Sequence, residues 1–239
     1  MPRRGPGTVI GQDAKLRFRR LQERLGDPLL TVLTILIALM LFVIAPLHAT
    51  GIFPSADVGL AVGMVVIGTV VFAYGISAAV FVLLVAMGLA VAASVFRHQH
   101  QSPIDLYLDA SAWILFGLAL SWVVAQAVFA PGRITYHRIM GAILLYLTIG
   151  VTFVALYTFL GLLIPDAFSG ISLKDTPALP STLVYFSFGT LTTAGAGDLA
   201  PLHPIARSLT NIEAMIGQLY PATLLARMVT LEIEGEKGT

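Results

Sequence analysis

Between Val58 and Phe96 the chain runs for 39 residues without an Asp, Glu, Lys or Arg. A helix crosses the hydrocarbon of a bilayer with about 20 apolar residues, so this run has room for two crossings. The simplest break is Tyr74-Gly75-Ile76-Ser77, because Gly is poor in a helix interior and good just past a helix end. Leu29 to Ala56, Ala110 to Gly132 and Ile139 to Pro165 are uncharged as well, and each suits one crossing. A last apolar stretch, Pro204 to Ile233, tolerates Arg207, Glu213, Arg227 and Glu232. The expected layout is six spans, at 29–49, 57–74, 76–96, 110–131, 138–164 and 204–233. Only 11% of residues are charged, against about 25% in soluble domains, so the composition also reads as an all-α membrane protein. With no Cys there is no disulfide framework, Cys-based zinc site or thiol nucleophile. A net charge of +1 gives no electrostatic case for nucleic-acid binding.

Lys and Arg set the expected orientation. Seven lie in residues 1–28, and Arg133, Arg138, Arg227 and Lys237 fall on the same side of the six-span layout. Arg97, Lys174 and Arg207 fall on the other. Both termini are therefore expected in the cytoplasm. The first span has the basic flank of a signal peptide, but it is too long and no A-x-A site follows, so it reads as a retained anchor. Leu16, Leu21 and Leu25 among basic residues suit either a helix on anionic headgroups or a plain topology signal.

Residues 166–203 form a long connection that is too apolar for disorder. Pro180-Ser181-Thr182 reads as a helix start, with Pro outside and a hydroxyl capping free N–H groups. The apolar segment through Thr192 is long enough for about half a bilayer at 1.5 Å per residue. Thr193-Ala194-Gly195-Ala196-Gly197-Asp198 is too Gly-rich to continue it. Non-helical backbone at membrane depth survives only when buried in protein or lining a water-filled cavity. A half-span helix, a small-residue strand and a full helix describe a re-entrant pore loop.

Thr190-Leu-Thr-Thr-Ala-Gly-Ala-Gly-Asp198 resembles the signature of the tetrameric potassium channel superfamily, usually T-x-T-T-V-G-Y-G-D. Tyr185 to Phe188 before it resembles that family's pore helix, and Leu202 to Ser208 after it the start of the inner helix. The resemblance covers residues 133–234 and looks like the pore module of bacterial ion channels. It divides the chain into a basic segment 1–28, a four-helix domain 29–132 in sensor-like position, a pore domain 133–234 and a tail 235–239. It implies that carbonyls of Thr193, Ala194, Gly195, Ala196 and Gly197, with the Thr193 hydroxyl, coordinate permeant K+ or Na+, replacing its water shell. Asp198 would stand at the outer mouth. One loop per chain implies a homotetramer among membrane lipids, in a bacterial inner membrane. No other cofactor is expected. Ala194 and Ala196 replace Val and an aromatic, removing packing behind the filter. That points to passive monovalent cation conduction with weakened preference for potassium. Tyr185, Phe186 and Phe188 either fill that space or pack against lipid and helices.

In the last span Gly217 and Pro221 mark either a gating hinge or a fixed kink with close packing. Ala214, Gln218, Pro221, Leu225 and Val229 share one stripe, which would face a cavity. Glu213, one step off it, reads as a neutral acid bracing the pore helix through Ser187, Thr190 or Thr192, or as an ion ligand. The fourth span lacks the repeated Arg or Lys of a voltage sensor. His98, His100 and Asp105 read as a solvated outer loop rather than a metal or pH site. No enzyme constellation stands out. The competing class is a non-conducting or transporting membrane protein that keeps a pore-like loop.

Overall fold

The computed structural model of the chain describes residues 30–51, 63–67, 78–99, 103–129, 136–170 and 178–237. Six long or medium helices carry the fold: α1 (Leu30–Ala49), α2 (Ala78–Gln99), α3 (Pro103–Phe129), α4 (Tyr136–Leu163), α5 (Leu179–Leu191) and α6 (Pro204–Lys237). A further helical stretch covers 63–67. Leu30–Ala49, Ala78–Val95, Ile104–Phe129 and Arg138–Leu163 are long and apolar enough to cross a membrane, and the molecule is an all-α membrane protein. Most of the expected 57–74 span lies outside the described residues.

Within α1, Met40–Ile44 forms a π turn in which the Ala45 N–H reaches the Met40 carbonyl. Pro46 follows at once. A proline ring clashes with the carbonyl four residues back in regular helix, and the wider turn gives it room. Two expected boundaries move. α3 starts at Pro103 rather than 110, because proline suits the first helical turn and Asp105 and Asp109 are carried inside the helix. His98 lies in the last turn of α2, and Asp105 is buried on α3. His98 and Asp105 thus stand on helices rather than in the expected loop, His100 lies outside the described residues, and no group of metal-ligating side chains occurs among the described residues.

α3 lies between α2 and α4 and packs extensively on both. The α3–α4 approach is close enough that a Cβ on Gly117 would sit 2.2 Å from Thr152 Oγ1. α1 crosses onto α4, where Thr34 Oγ1 donates to the Met140 carbonyl at 3.0 Å. One buried cluster joins Leu33, Leu83, Leu120, Leu144 and Val184, so the front helices and α5 share a core. A second cluster, Tyr157, Phe168, Leu183, Phe186 and Leu199, fills the space between α4, α5 and the chain before α6.

The connection from α4 to α6 is closed at its base. β1 (Phe168–Ser169) pairs antiparallel with β2 (Ala200–Pro201), with Phe168 opposite Pro201 and Ser169 opposite Ala200. The Leu202 and His203 N–H groups both donate to the Ala167 carbonyl, at 2.8 and 3.2 Å. Gly170 has φ +77°, and a Cβ there would meet the Asp198 carbonyl at 2.4 Å, so this position needs glycine for both conformation and space.

Candidate functional site

α5 starts one turn earlier than a hydroxyl cap predicts. Ala178 is its N-cap and Pro180 stands inside the first turn, where its missing N–H costs nothing. The Thr182 hydroxyl bonds back to the Ala178 carbonyl at 2.9 Å and caps no N–H. The helix runs 13 residues and stops at Thr192. The next residues turn sharply: Thr193 has φ +57° and Gly195 φ +80°, with Ala194 between them. Positive φ is free for Gly and costs about 1–3 kcal/mol elsewhere. Thr193 is β-branched, so its neighbours must hold it. Its N–H donates to the Thr190 carbonyl at 2.9 Å, and Gln218 Nε2 on α6 donates to its hydroxyl, also at 2.9 Å.

From there the strand folds back along α5. The Gly195 N–H donates to the Gly189 carbonyl at 2.9 Å. A Cβ on Gly189 would lie 3.3 Å from the Gly195 carbonyl carbon, so the bare helix face at Gly189 lets the strand lie close. Ala196 rests partly buried against the second cluster. Within that cluster Tyr157, Phe168 and Phe186 pack edge to face, with centroids 5.0–5.6 Å apart. Of the three aromatics weighed from sequence, Phe186 belongs to this cluster. Phe188 instead meets Phe42 at 5.1 Å and presses on Gly150 of α4, where a Cβ would lie 2.6 Å from its ring. Tyr185 is exposed, and its hydroxyl is hydrogen-bonded to the Asp198 carboxylate and the Gly197 backbone.

Among the described residues, the carbonyl oxygens of Thr193, Ala194 and Gly195 accept no backbone hydrogen bond, while that of Ala196 accepts from the Leu199 N–H at 3.3 Å. Thr193, Ala194, Gly195, Gly197 and Asp198 are all exposed in the single chain. Hard cations take oxygen ligands, and unpartnered carbonyls on a strand of alternating φ sign are ligands of that kind.

α6 is seated on α5 and the loop that follows it at three points in six residues. Glu213 is fully buried. Its carboxyl meets the Ser187 hydroxyl at 2.5 Å and the Tyr157 hydroxyl of α4 at 2.5 Å. One turn on, a Cβ at Gly217 would lie 1.8 Å from the Leu191 carbonyl oxygen, so the helix touches the end of α5 backbone to backbone. Gln218 then reaches Thr193. In this structure Gly217 serves close packing, and α6 continues as helix through Pro221. Gln218, Pro221, Leu225 and Val229 are exposed and Ala214 half-buried. Sequence reasoning did not find Tyr157, Gly150, Gly170 or Gly189. Tyr157 lies 56 positions from its partner, with no local pattern to connect them.

No curated protein and no solved structure matches the chain. Residues 142–233, which include most of α4, all of α5, the Thr193–Asp198 loop and α6 as far as Ile233, match the family model described as ion channel.

Proposed function

We propose that this chain is one subunit of a homotetrameric channel that passes monovalent cations down their gradient, with four Thr193–Gly197 strands around the axis. One feature carries the proposal: a short helix ends on a loop whose carbonyls at 193–195 are exposed and unpartnered, inside the segment that matches the ion-channel family model. Carbonyls from four copies would replace the water shell of a K+ or Na+ ion. Asp198, tied to Tyr185, would concentrate cations at the outer mouth. Gln218, Pro221 and Gly217 would line or shape the cavity below, and Glu213 would brace the pore helix. In this reading the chain crosses a plasma membrane six times with both termini cytoplasmic, and α5 enters only halfway.

Ala196 presents one methyl group to the aromatic cluster, so the strand is held mainly by polar tethers: Gly195 to Gly189, Gln218 to Thr193 and Tyr185 to Asp198. Tethers of this kind restrain width less than a packed ring does. We therefore expect a weak preference for potassium over sodium. Purified protein in liposomes should show cation flux and anion exclusion. Under a potassium–sodium bi-ionic gradient the reversal potential should sit well short of the potassium limit. No flux of either ion, or a monomer in the membrane, would sink the channel proposal. A reversal potential near the potassium limit would keep the channel and remove the argument from packing.

A further inference from the structure

Four oxygen-bearing groups converge where α4, α5 and α6 meet. They are the Gly150 carbonyl, the Ser187 hydroxyl, the Glu213 carboxyl and the Tyr157 hydroxyl. Ser187 Oγ lies 3.0 Å from the Gly150 oxygen and 2.5 Å from Glu213 Oε1, and the Tyr157 hydroxyl lies 2.5 Å from Glu213 Oε2. Ser187, Glu213 and Tyr157 have no solvent exposure, so bulk water does not reach the set.

Each of these contacts needs one proton between its two oxygens. A carbonyl can only accept, and a hydroxyl carries a single proton. The Gly150 contact therefore takes the proton of Ser187. Ser187 must then accept from Glu213, and the only proton for that contact is one on the carboxyl. Tyr157 supplies its own to the other carboxyl oxygen. Three contacts are closed by three protons, one of them on Glu213. The Thr210 hydroxyl on α6 donates to the Ala206 carbonyl of its own helix at 2.8 Å, so its proton is spent outside this set. Tyr146 of α4 is the other titratable group facing this carboxyl, and no basic side chain is among the groups acting on it. An ionised carboxylate here would leave one contact without a proton and a buried charge without a partner, which is strongly disfavoured.

We infer that Glu213 is held as the neutral acid and is a positioning residue, whose proton fastens the inner helix to the pore helix and so seats the filter loop. The link to the filter is short. Gly217 touches Leu191 one turn along α6, and the next residue, Gln218, holds Thr193. The consequence for conduction rests on the channel proposal; the proton itself does not.

Glu213→Gln separates the two. A glutamine amide can donate to Ser187 and accept from Tyr157, so it reproduces every contact of the neutral acid but cannot ionise. Infrared spectra of the full chain in lipid, wild type minus Glu213→Gln, should show the carbonyl stretch of a protonated carboxyl at neutral pH. That band should disappear when wild type is titrated to alkaline pH. A carboxylate signal at neutral pH instead would overturn the inference. Where conduction is present, Glu213→Gln should keep wild-type flux at neutral pH and hold it where wild type loses it at high pH. Identical pH profiles in the two proteins would reduce Glu213 to a passive packing group. If neither protein conducts, the channel proposal fails while the infrared band still decides the proton. If the variant does not fold, the alkaline titration of the wild-type band decides it alone.

Discussion

The front helices and the pore-like half are both helical and apolar, yet they hold themselves together differently. From α1 to α3, hydroxyl groups mostly bond their own helix backbone, as Thr34 does to Leu30 and Ser111 to Tyr107. Their contact with α4 comes from close packing, as at Gly117 against Thr152, and from two hydroxyls that reach its backbone carbonyls, Thr34 at Met140 and Tyr107 at Leu162. From α4 onward, side chains bond one another across elements: Tyr157 and Ser187 to Glu213, Gln218 to Thr193, Tyr185 to Asp198. Lipid is as apolar as Leu, so helices in it associate through close packing and a few polar contacts. Shape alone allows many similar arrangements. A loop that must place backbone oxygens needs one arrangement, and directional bonds select it.

Two glycines give the sharpest test of this difference. Gly217→Ala puts a methyl group 1.8 Å from a backbone oxygen, which cannot move without displacing the end of α5. The expected cost is about 3 kcal/mol or more, with loss of the assembled protein in mild detergent. Gly117→Ala meets the side chain of Thr152 first, at 2.2 Å. A rotamer change and a small helix shift relieve it, at about 1 kcal/mol. Thermal unfolding of the two variants should rank them in that order. Equal effects would mean that the α5–α6 seat is no more exacting than the α3–α4 contact.

A pair of tyrosines asks the same question of hydrogen bonds. Tyr157→Phe removes the donor to a buried carboxyl oxygen and should cost about 1–3 kcal/mol, since the acceptor is left unsatisfied. Tyr107→Phe removes a 2.6 Å bond to the Leu162 carbonyl, a part-buried acceptor near the end of α4, and should cost about 1 kcal/mol. Melting temperatures in the same detergent check both. A larger loss for Tyr107→Phe would show that α3 is anchored by polar contact as firmly as α6.

How much of this was legible in the sequence follows the same division. The runs without charge located α1 and α4 closely, and the apolar stretch from Pro204 located the helix α6, because apolar composition marks every residue of a long helix. They cut α3 short, because a charge inside a span was taken for its end, whereas Asp105 is buried on the helix. Helix α5 was readable from Pro180 and from the Gly-rich segment after it, but its cap was misread, since Pro180 and the Thr182 hydroxyl both lie within the first turn. Glu213 stood out as a carboxylate within an apolar run. Its partner Tyr157 did not, since an aromatic in a membrane helix is unremarkable until the fold brings it across 56 positions. The β1–β2 clasp has two residues per strand, too short for any periodicity. Spacing reads what repeats along the chain, and it misses contacts made once.

The smallest expected effect is that of voltage. Charge moved across the full membrane field is worth about 2.3 kcal/mol per unit charge for each 100 mV, so steep voltage dependence needs several charges on an element able to move. Between Leu30 and Phe129 the chain carries only Asp57, Arg97, Asp105 and Asp109, and α3, in the fourth-span position, has no Lys or Arg. Asp105 is buried, and α3 is packed along both α2 and α4; sliding it would break that packing and the Tyr107–Leu162 hydrogen bond. Few charges on closely packed helices are expected to give weak voltage dependence. Open probability in planar bilayers should change little between strongly negative and strongly positive potentials. A steep conductance–voltage curve would require moving charge from the pore-like half, where Asp198, Arg207 and Arg227 are exposed, and would make the bonded half of the molecule, rather than the shape-packed half, the part that responds to the field.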